Sequence, residues 1–184
     1  MGNCATKNDG ASSRTQKIDE ELKQSRVALD NEIKILLLGA GDSGKSTLLK
    51  QMKIIHGKGF NEEERREFTE RVQENIIQNM KSLVVAAEHF KLDVLEENEE
   101  KAEYFRALSP RENTFSEEVI DNVIALWKDP AIQQTLTRSS EFQLNNTAAY
   151  FFNRIEEIRK EDYIPSIDDV LRVRVKTTGI STQN

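Results

Sequence analysis

The sequence predicts an α/β fold in which a phosphate-binding strand, loop and helix are followed by an all-α insert, so that the chain as a whole is mostly α. Three observations carry this. Residues 39–46 read G-x-x-x-x-G-K-S, between an apolar run and a segment of good helix formers. From about residue 60 to 167 apolar residues recur at helical spacing with little Gly or Pro. Residues 171–177 then alternate in the strand period. The expected organisation is a modified N-terminus and amphipathic helix over 1–31, a strand and helix around the glycine loop over 32–58, the helical insert over 59–167, and a linker with a final segment over 168–184.

In chain order, Met1 to Thr6 reads MGNCAT and fits M-G-x-x-x-[ST], the N-myristoylation pattern on Gly2. Cys4 is the only cysteine and lies two residues from that acceptor. One acyl chain anchors a protein only marginally, and a second on Cys4 would make the anchoring stable. The competing reading is a polar tail with an idle thiol. From about Arg14 to Asn31 the chain is highly charged and free of Gly and Pro, which favours helix. Ile18, Leu22 and Leu29 lie near one face with Val27 at its edge. So thin a stripe is either solvated or completed by a partner protein or a membrane.

The run Ile33 to Leu38 reads as a buried strand entering the glycine loop. The glycines let backbone N–H groups turn around phosphate oxygens, and the following helix N-terminus adds its positive dipole end. Lys45 would reach the β- and γ-phosphates, and the Ser46 hydroxyl would sit on Mg²⁺. A purely structural glycine turn is the alternative. The helix runs from Lys45 to His56, with Gly57 at the C-cap position and a break over Gly57 to Gly59.

One long amphipathic helix is expected from Asn61 to about Leu92. Phe68, Val72, Ile76, Met80 and Val84 recur at every fourth position, widened by Ile77, Leu83 and Ala87. Glu62, Glu63 and Glu64 suit its N-terminal dipole. The acidic run Glu96 to Glu103 falls in a short helix or loop. Thr114 to Glu117 reads as a capping box opening a helix to Trp127, stopped by Asp129-Pro130. A further helix is expected from about Thr147 to Arg159, capped by Asn145 or Asn146. His56 and His89 have no companions at metal-ligand spacing.

Bulk properties exclude several classes. A net charge of -6 argues against nucleic acid as a partner. No apolar run reaches the length of a membrane span, the first 30 residues carry no secretory signal, and a single cysteine excludes an internal disulfide and fits a cytosolic chain.

Taken with the element order, three stretches resemble the α subunit of heterotrimeric G proteins: KILLLGAGDSGKST at 34–47, KQMKIIH at 50–56 and DVLRVRVKTTG at 169–179. The resemblance covers the N-terminal half of such a subunit. It implies a Ras-like P-loop GTPase with an inserted helical domain, only the N-terminal part of the Ras-like domain being present. Asp42, Ser43, Gly44, Lys45, Ser46 and Thr47 would then hold the phosphates of GTP or GDP. Ser46 and Thr177 would be the protein ligands of Mg²⁺. Arg174 resembles the family's catalytic arginine finger, supplied in cis, while Leu171, Arg172, Asn146 and Thr147 would lie along the nucleotide.

The same resemblance implies a βγ dimer bound through the N-terminal helix (Ile18 and Leu22 facing it), a G-protein-coupled receptor, an effector, and a peripheral, lipid-anchored place on the cytoplasmic face of the plasma membrane. Three positions depart from the family's habit: Asp42 replaces Glu, Asn146 stands where Asp is common, and Cys4 lies one place beyond the commonest cysteine. These 184 residues hold no D-x-x-G, no water-orienting glutamine and no N-K-x-D. The expectation is a fragment of a GTP-hydrolysing signal transducer. The alternatives are a truncated, non-catalytic, membrane-anchored module that binds βγ, or a P-loop kinase or ATPase.

Overall fold

A computed structural model describes residues 14–15, 17–23, 35–40, 43–108 and 115–175. The expectations at Gly2, Cys4, Asp42, Thr114 and Thr177 lie outside these residues. The chain divides into two compact units, residues 1–43 and 44–184. In the first unit, residues 14–15 and 17–23 are helical, as expected, with Ile18 and Leu22 exposed.

The expected buried strand before the glycine loop is corrected. Residues 35–40 form no strand, and Ile35, Leu36 and Leu38 are 72%, 74% and 81% exposed. A strand needs a neighbour for its ladder, and no strand occurs anywhere among the described residues.

The second unit is helical. Helix α1 spans Lys45–His56 and ends at Gly57 as expected. The long helix expected after Asn61 is instead two, α2 over Glu62–Arg66 and α3 over Thr69–His89. The interruption is a tightened turn, because the Phe68 N–H reaches back three residues to the Arg65 carbonyl. Asn61 and Glu64 close a reciprocal capping box, Glu64 pairs with Lys53 at 2.6 Å, and Arg65 donates to the Pro165 carbonyl at 2.9 Å. Those ties fix α2 to its neighbours independently of α3.

A 3-10 turn over Glu96–Asn98 leads into α4, Glu99–Ala107. Helix α5, Glu117–Trp127, is capped by the Ser116 side chain, two residues later than the expected Thr114. Asp129-Pro130 both stops α5 and starts α6, Pro130–Thr137, with Asp129 as N-cap and Pro130 at the first turn, where its missing N–H costs nothing. The expected helix from Thr147 is split into α7, Ala148–Phe152, and α8, Ile155–Ile158. The Asn145 carboxamide accepts from the Thr147 N–H at its start. Trp127 Nε1 donates to Asn153 Oδ1 at 3.0 Å, and the Arg154 N–H turns back three residues to Phe151.

The final correction concerns residues 171–177. Leu171 and Arg172 close a helix, α9, Ile167–Arg172, opened by a Ser166–Asp169 capping box.

One core joins these helices. Val72, Ile76, Met80, Leu83, Val84 and Ala87 of α3 form its spine against Phe105, Ile120, Val123, Leu126, Phe151 and Phe152. Burying each large side chain contributes about 1.5–3 kcal/mol. Val173, just past α9, joins the same core, and α9 itself packs against α1.

Candidate functional site

Helix α1 begins on a glycine. Its N-cap, Gly44, sits at φ 85° and ψ 4°, a left-handed conformation natural to glycine. A Cβ there would meet nothing within 4 Å, so the constraint is conformational rather than spatial. Asn61, Ser116, Asp129 and Ser166 each cap a helix with a side chain, but Gly44 offers none, and the first turn of α1 carries no carboxylate. No carboxylate of that turn itself therefore offsets the positive end of the helix dipole. Lys45 and Ser46 on that turn are half-buried and Thr47 is exposed.

Four residues along from Ser46, on the same face of α1, Lys50 is buried and its ammonium donates to the Val173 carbonyl at 2.8 Å. Burial pushes its pKa down to about 8. The Phe68 ring lies 5.4 Å from the same nitrogen. Through this bond the segment after α9 runs beside the face that bears Ser46.

Residues 172–174 are secured one carbonyl at a time. The Thr147 hydroxyl donates to the Arg172 carbonyl at 3.3 Å, Lys50 to that of Val173, and the Asn75 amide to that of Arg174 at 2.9 Å. Asn75 Oδ1 also accepts the Arg174 N–H at 3.0 Å. Past the helix end at Arg172 the backbone turns extended at Val173, and burial alternates: Arg172 and Arg174 are exposed, while Val173 is buried and Val175 packs on the core. The strand period is therefore real in side-chain direction. Its three carbonyls are met by the side chains of Lys50, Asn75 and Thr147 instead of by a neighbouring strand.

Below this segment Asp169 is fully buried and accepts from Tyr150 at 2.8 Å, Tyr163 at 3.0 Å, and the Ser166 N–H and hydroxyl at 2.8 and 2.9 Å. Arg154 pairs with it as well. Burial opposes ionisation of the carboxyl, but these donors together hold its pKa below the ordinary value. The Tyr163 hydroxyl is pushed up, first by burial and then by the Asp169 charge. Tyr150 carries the Arg172 guanidinium over its ring at 4.4 Å.

Of the residues singled out in the sequence, Thr147, Leu171, Arg172 and Arg174 are brought together, and Lys50 links their segment to α1. Asn146 is exposed in the turn before α7, and Ser43 belongs to the other unit. Among the described residues no three His, Cys, Asp or Glu cluster as metal ligands. No described helix is long and apolar enough to cross a membrane.

Sequence reasoning missed Lys50, Asn75 and Tyr150 as parts of this arrangement. Lys50 sits within a quoted motif, but a lysine four residues beyond the loop carries no mark of burial. Asn75 is a polar residue beside an apolar stripe, and nothing local distinguishes it. The S-x-x-D pattern at Ser166 was a legible capping signal that would have predicted α9.

A family model described as "G-protein alpha subunit" matches residues 12–184. The "Guanine nucleotide-binding protein alpha-16 subunit" of Caenorhabditis briggsae is 42% identical, over 98% of this chain and 52% of that protein. A "Guanine nucleotide-binding protein subunit alpha" of Emericella nidulans is 41% identical, over 96% of this chain and 51% of its own length. The "Guanine nucleotide-binding protein alpha-1 subunit" of Mycosarcoma maydis is 43% identical, over 98% and 52%. The chain spans about half the length of the curated relatives it matches.

Proposed function

The chain belongs to the G-protein alpha subunit family, and from that premise we propose that it supplies the phosphate-binding and arginine-bearing half of a GTP-hydrolysing switch that transduces signals from transmembrane receptors. The observation that carries this reading is the Lys50 to Val173 bond, which ties the Arg174 segment to the face of α1 bearing Ser46. Residues 42–47 would wrap the phosphates with backbone N–H groups, Lys45 would neutralise their charge, and the Arg174 guanidinium would meet charge developing on the transferred phosphoryl group. Asn146, Thr147, Leu171 and Arg172 would lie along the nucleotide.

Ser46 and Thr177 would hold Mg²⁺ through hydroxyl oxygens. Ser46 fits, as a half-buried hard donor on a turn with no carboxylate to compete with phosphate. Held there, the cation would supply positive charge to neutralise the phosphates. Acylation at Gly2 and Cys4 would anchor the protein to the cytoplasmic face of the plasma membrane, and the helix bearing Ile18 and Leu22 would meet the βγ dimer, with receptor and effector engaging the rest of the subunit.

The test uses the intact polypeptide carrying this sequence. It is expected to bind a fluorescent GDP analogue in competition with GTP but not ATP. Arg174→Ala is expected to slow GTP hydrolysis ~10²-fold or more with binding nearly unchanged. Equal competition by ATP would overturn guanine specificity, and unchanged turnover would remove Arg174 from the chemistry.

A second reading, a non-catalytic βγ-binding module, is favoured by the exposure of Ile18 and Leu22 (48% and 55%) on a charged helix. Nucleotide binding by the 184-residue chain would sink it.

A further inference from the structure

We propose that Asn75 is a positioning residue for Arg174, an inference that rests on reading Arg174 as the finger. The Asn75 carboxamide uses its whole hydrogen-bonding capacity. Nδ2 donates to the Arg71 carbonyl at 2.7 Å and to the Arg174 carbonyl at 2.9 Å, while Oδ1 accepts the Arg174 N–H at 3.0 Å and Asn145 Nδ2 at 3.4 Å. The orientation of the amide is dictated by its surroundings. Turning it over would set its oxygen against two carbonyls and its NH₂ against an N–H donor.

The N–H and C=O of one residue point to the same side only in extended backbone, as in a hydrogen-bonded strand pair. One side chain grasping both groups of Arg174 therefore fixes that residue as extended, which throws its side chain out of the plane of the two bonds. Arg71 and Asn145 hold the amide from behind, so the grip is braced by the first turn of α3 and the turn before α7. Lys50 at Val173 and Thr147 at Arg172 fix the two preceding carbonyls, but neither touches Arg174 itself. Among the described residues it is Asn75, 99 residues away in sequence, that bonds the backbone of the arginine on both sides.

A long side chain on an otherwise irregular segment gains direction from such a grip. A misplacement of about 1 Å at a reacting centre can cost on the order of 10²-fold in rate. Asn75 acts on turnover through Arg174, and reaches the turn bearing Thr147 only indirectly, through its long bond with Asn145.

A double-mutant cycle in the intact polypeptide tests this, reading single-turnover GTP hydrolysis and the dissociation constant for the GDP analogue. Asn75→Ala is expected to slow hydrolysis at least roughly tenfold with the dissociation constant within about twofold. In the Arg174→Ala background the same change is expected to alter hydrolysis by less than roughly twofold, because a positioning residue has nothing left to position. Asn75→Asp keeps the size and the acceptor for the Arg174 N–H but turns an oxygen toward two carbonyls. It is expected to slow hydrolysis like Asn75→Ala, and it stands in for that variant if alanine unfolds the chain. Hydrolysis unchanged in both Asn75 variants while Arg174→Ala slows it would overturn this inference and leave the finger intact. Equal slowing in both backgrounds would reduce Asn75 to a structural tie. Unchanged hydrolysis in Arg174→Ala would bring down the finger reading and this inference with it.

Discussion

Single residues here act through what they bond, and their types alone do not announce it. Lys50 is a lysine on a helix with its ammonium buried against a carbonyl, and burial brings its pKa from 10.5 to about 8. Between those values the unfolded chain binds more protons than the folded one, so the stability this group governs rises with pH across that window. Below about 8 the buried charge costs stability. Thermal midpoints measured from pH 8 to 10.5 are expected to rise more steeply in the parent than in Lys50→Met; parallel slopes would show that Lys50 titrates as an ordinary lysine. Gly44 makes the complementary case. The motif asks for glycine there, and its left-handed φ is the physical reason.

Elements begin and end where side chains take over orphan backbone groups. Asp129 is 1% exposed and accepts from the N–H groups of Ala131 and Leu95 and from Asn98 Nδ2. It caps α6, anchors the turn before α4 and terminates α5, so three elements share one carboxylate. Asp129→Ala leaves three buried donors without that acceptor and is expected to cost about 3 kcal/mol, lowering the thermal midpoint by roughly 6–12 °C. Ser116→Ala removes a single 3.3 Å cap bond and is expected to cost about 1 kcal/mol. Similar losses in the two variants would contradict the sharing. The same logic explains the breaks that periodicity could not reveal. The stripe from Phe68 to Val84 is continuous, yet the caps and ion pairs of α2 stop the helix at Glu67–Phe68.

At the scale of the molecule, residues 44–184 own the core, and every buried member of it lies between Val72 and Val173. A chain of residues 60–175 is expected to keep its helicity and melt in one cooperative transition, followed by circular dichroism and by Trp127 fluorescence. A broad, non-cooperative melt would show that α1 is needed to complete the core. Helix α1 has a second face, where Leu48, Met52 and Ile55 are 47%, 41% and 68% exposed at helical spacing. Ile35, Leu36 and Leu38 are exposed in the other unit. The apolar pattern of 33–38 predicts burial, but a fully apolar run describes the faces a strand offers and cannot supply the strands that cover them.

The sequence by itself determined the local physics: the glycine loop ahead of a helix without an acidic first turn, the spine of α3 from Val72 to Ala87, and the in-and-out alternation of residues 172–175. These follow from spacing, and spacing is written in the chain. Tertiary structure alone decided how the Arg174 segment is held. Its partners, Lys50 and Asn75, lie 123 and 99 residues from the groups they bond, and neither carries a local mark of that role. An alternating run specifies two faces. Whether its backbone bonds are met by a strand or by the tips of a lysine, an asparagine and a threonine depends on what the rest of the fold carries to its edge.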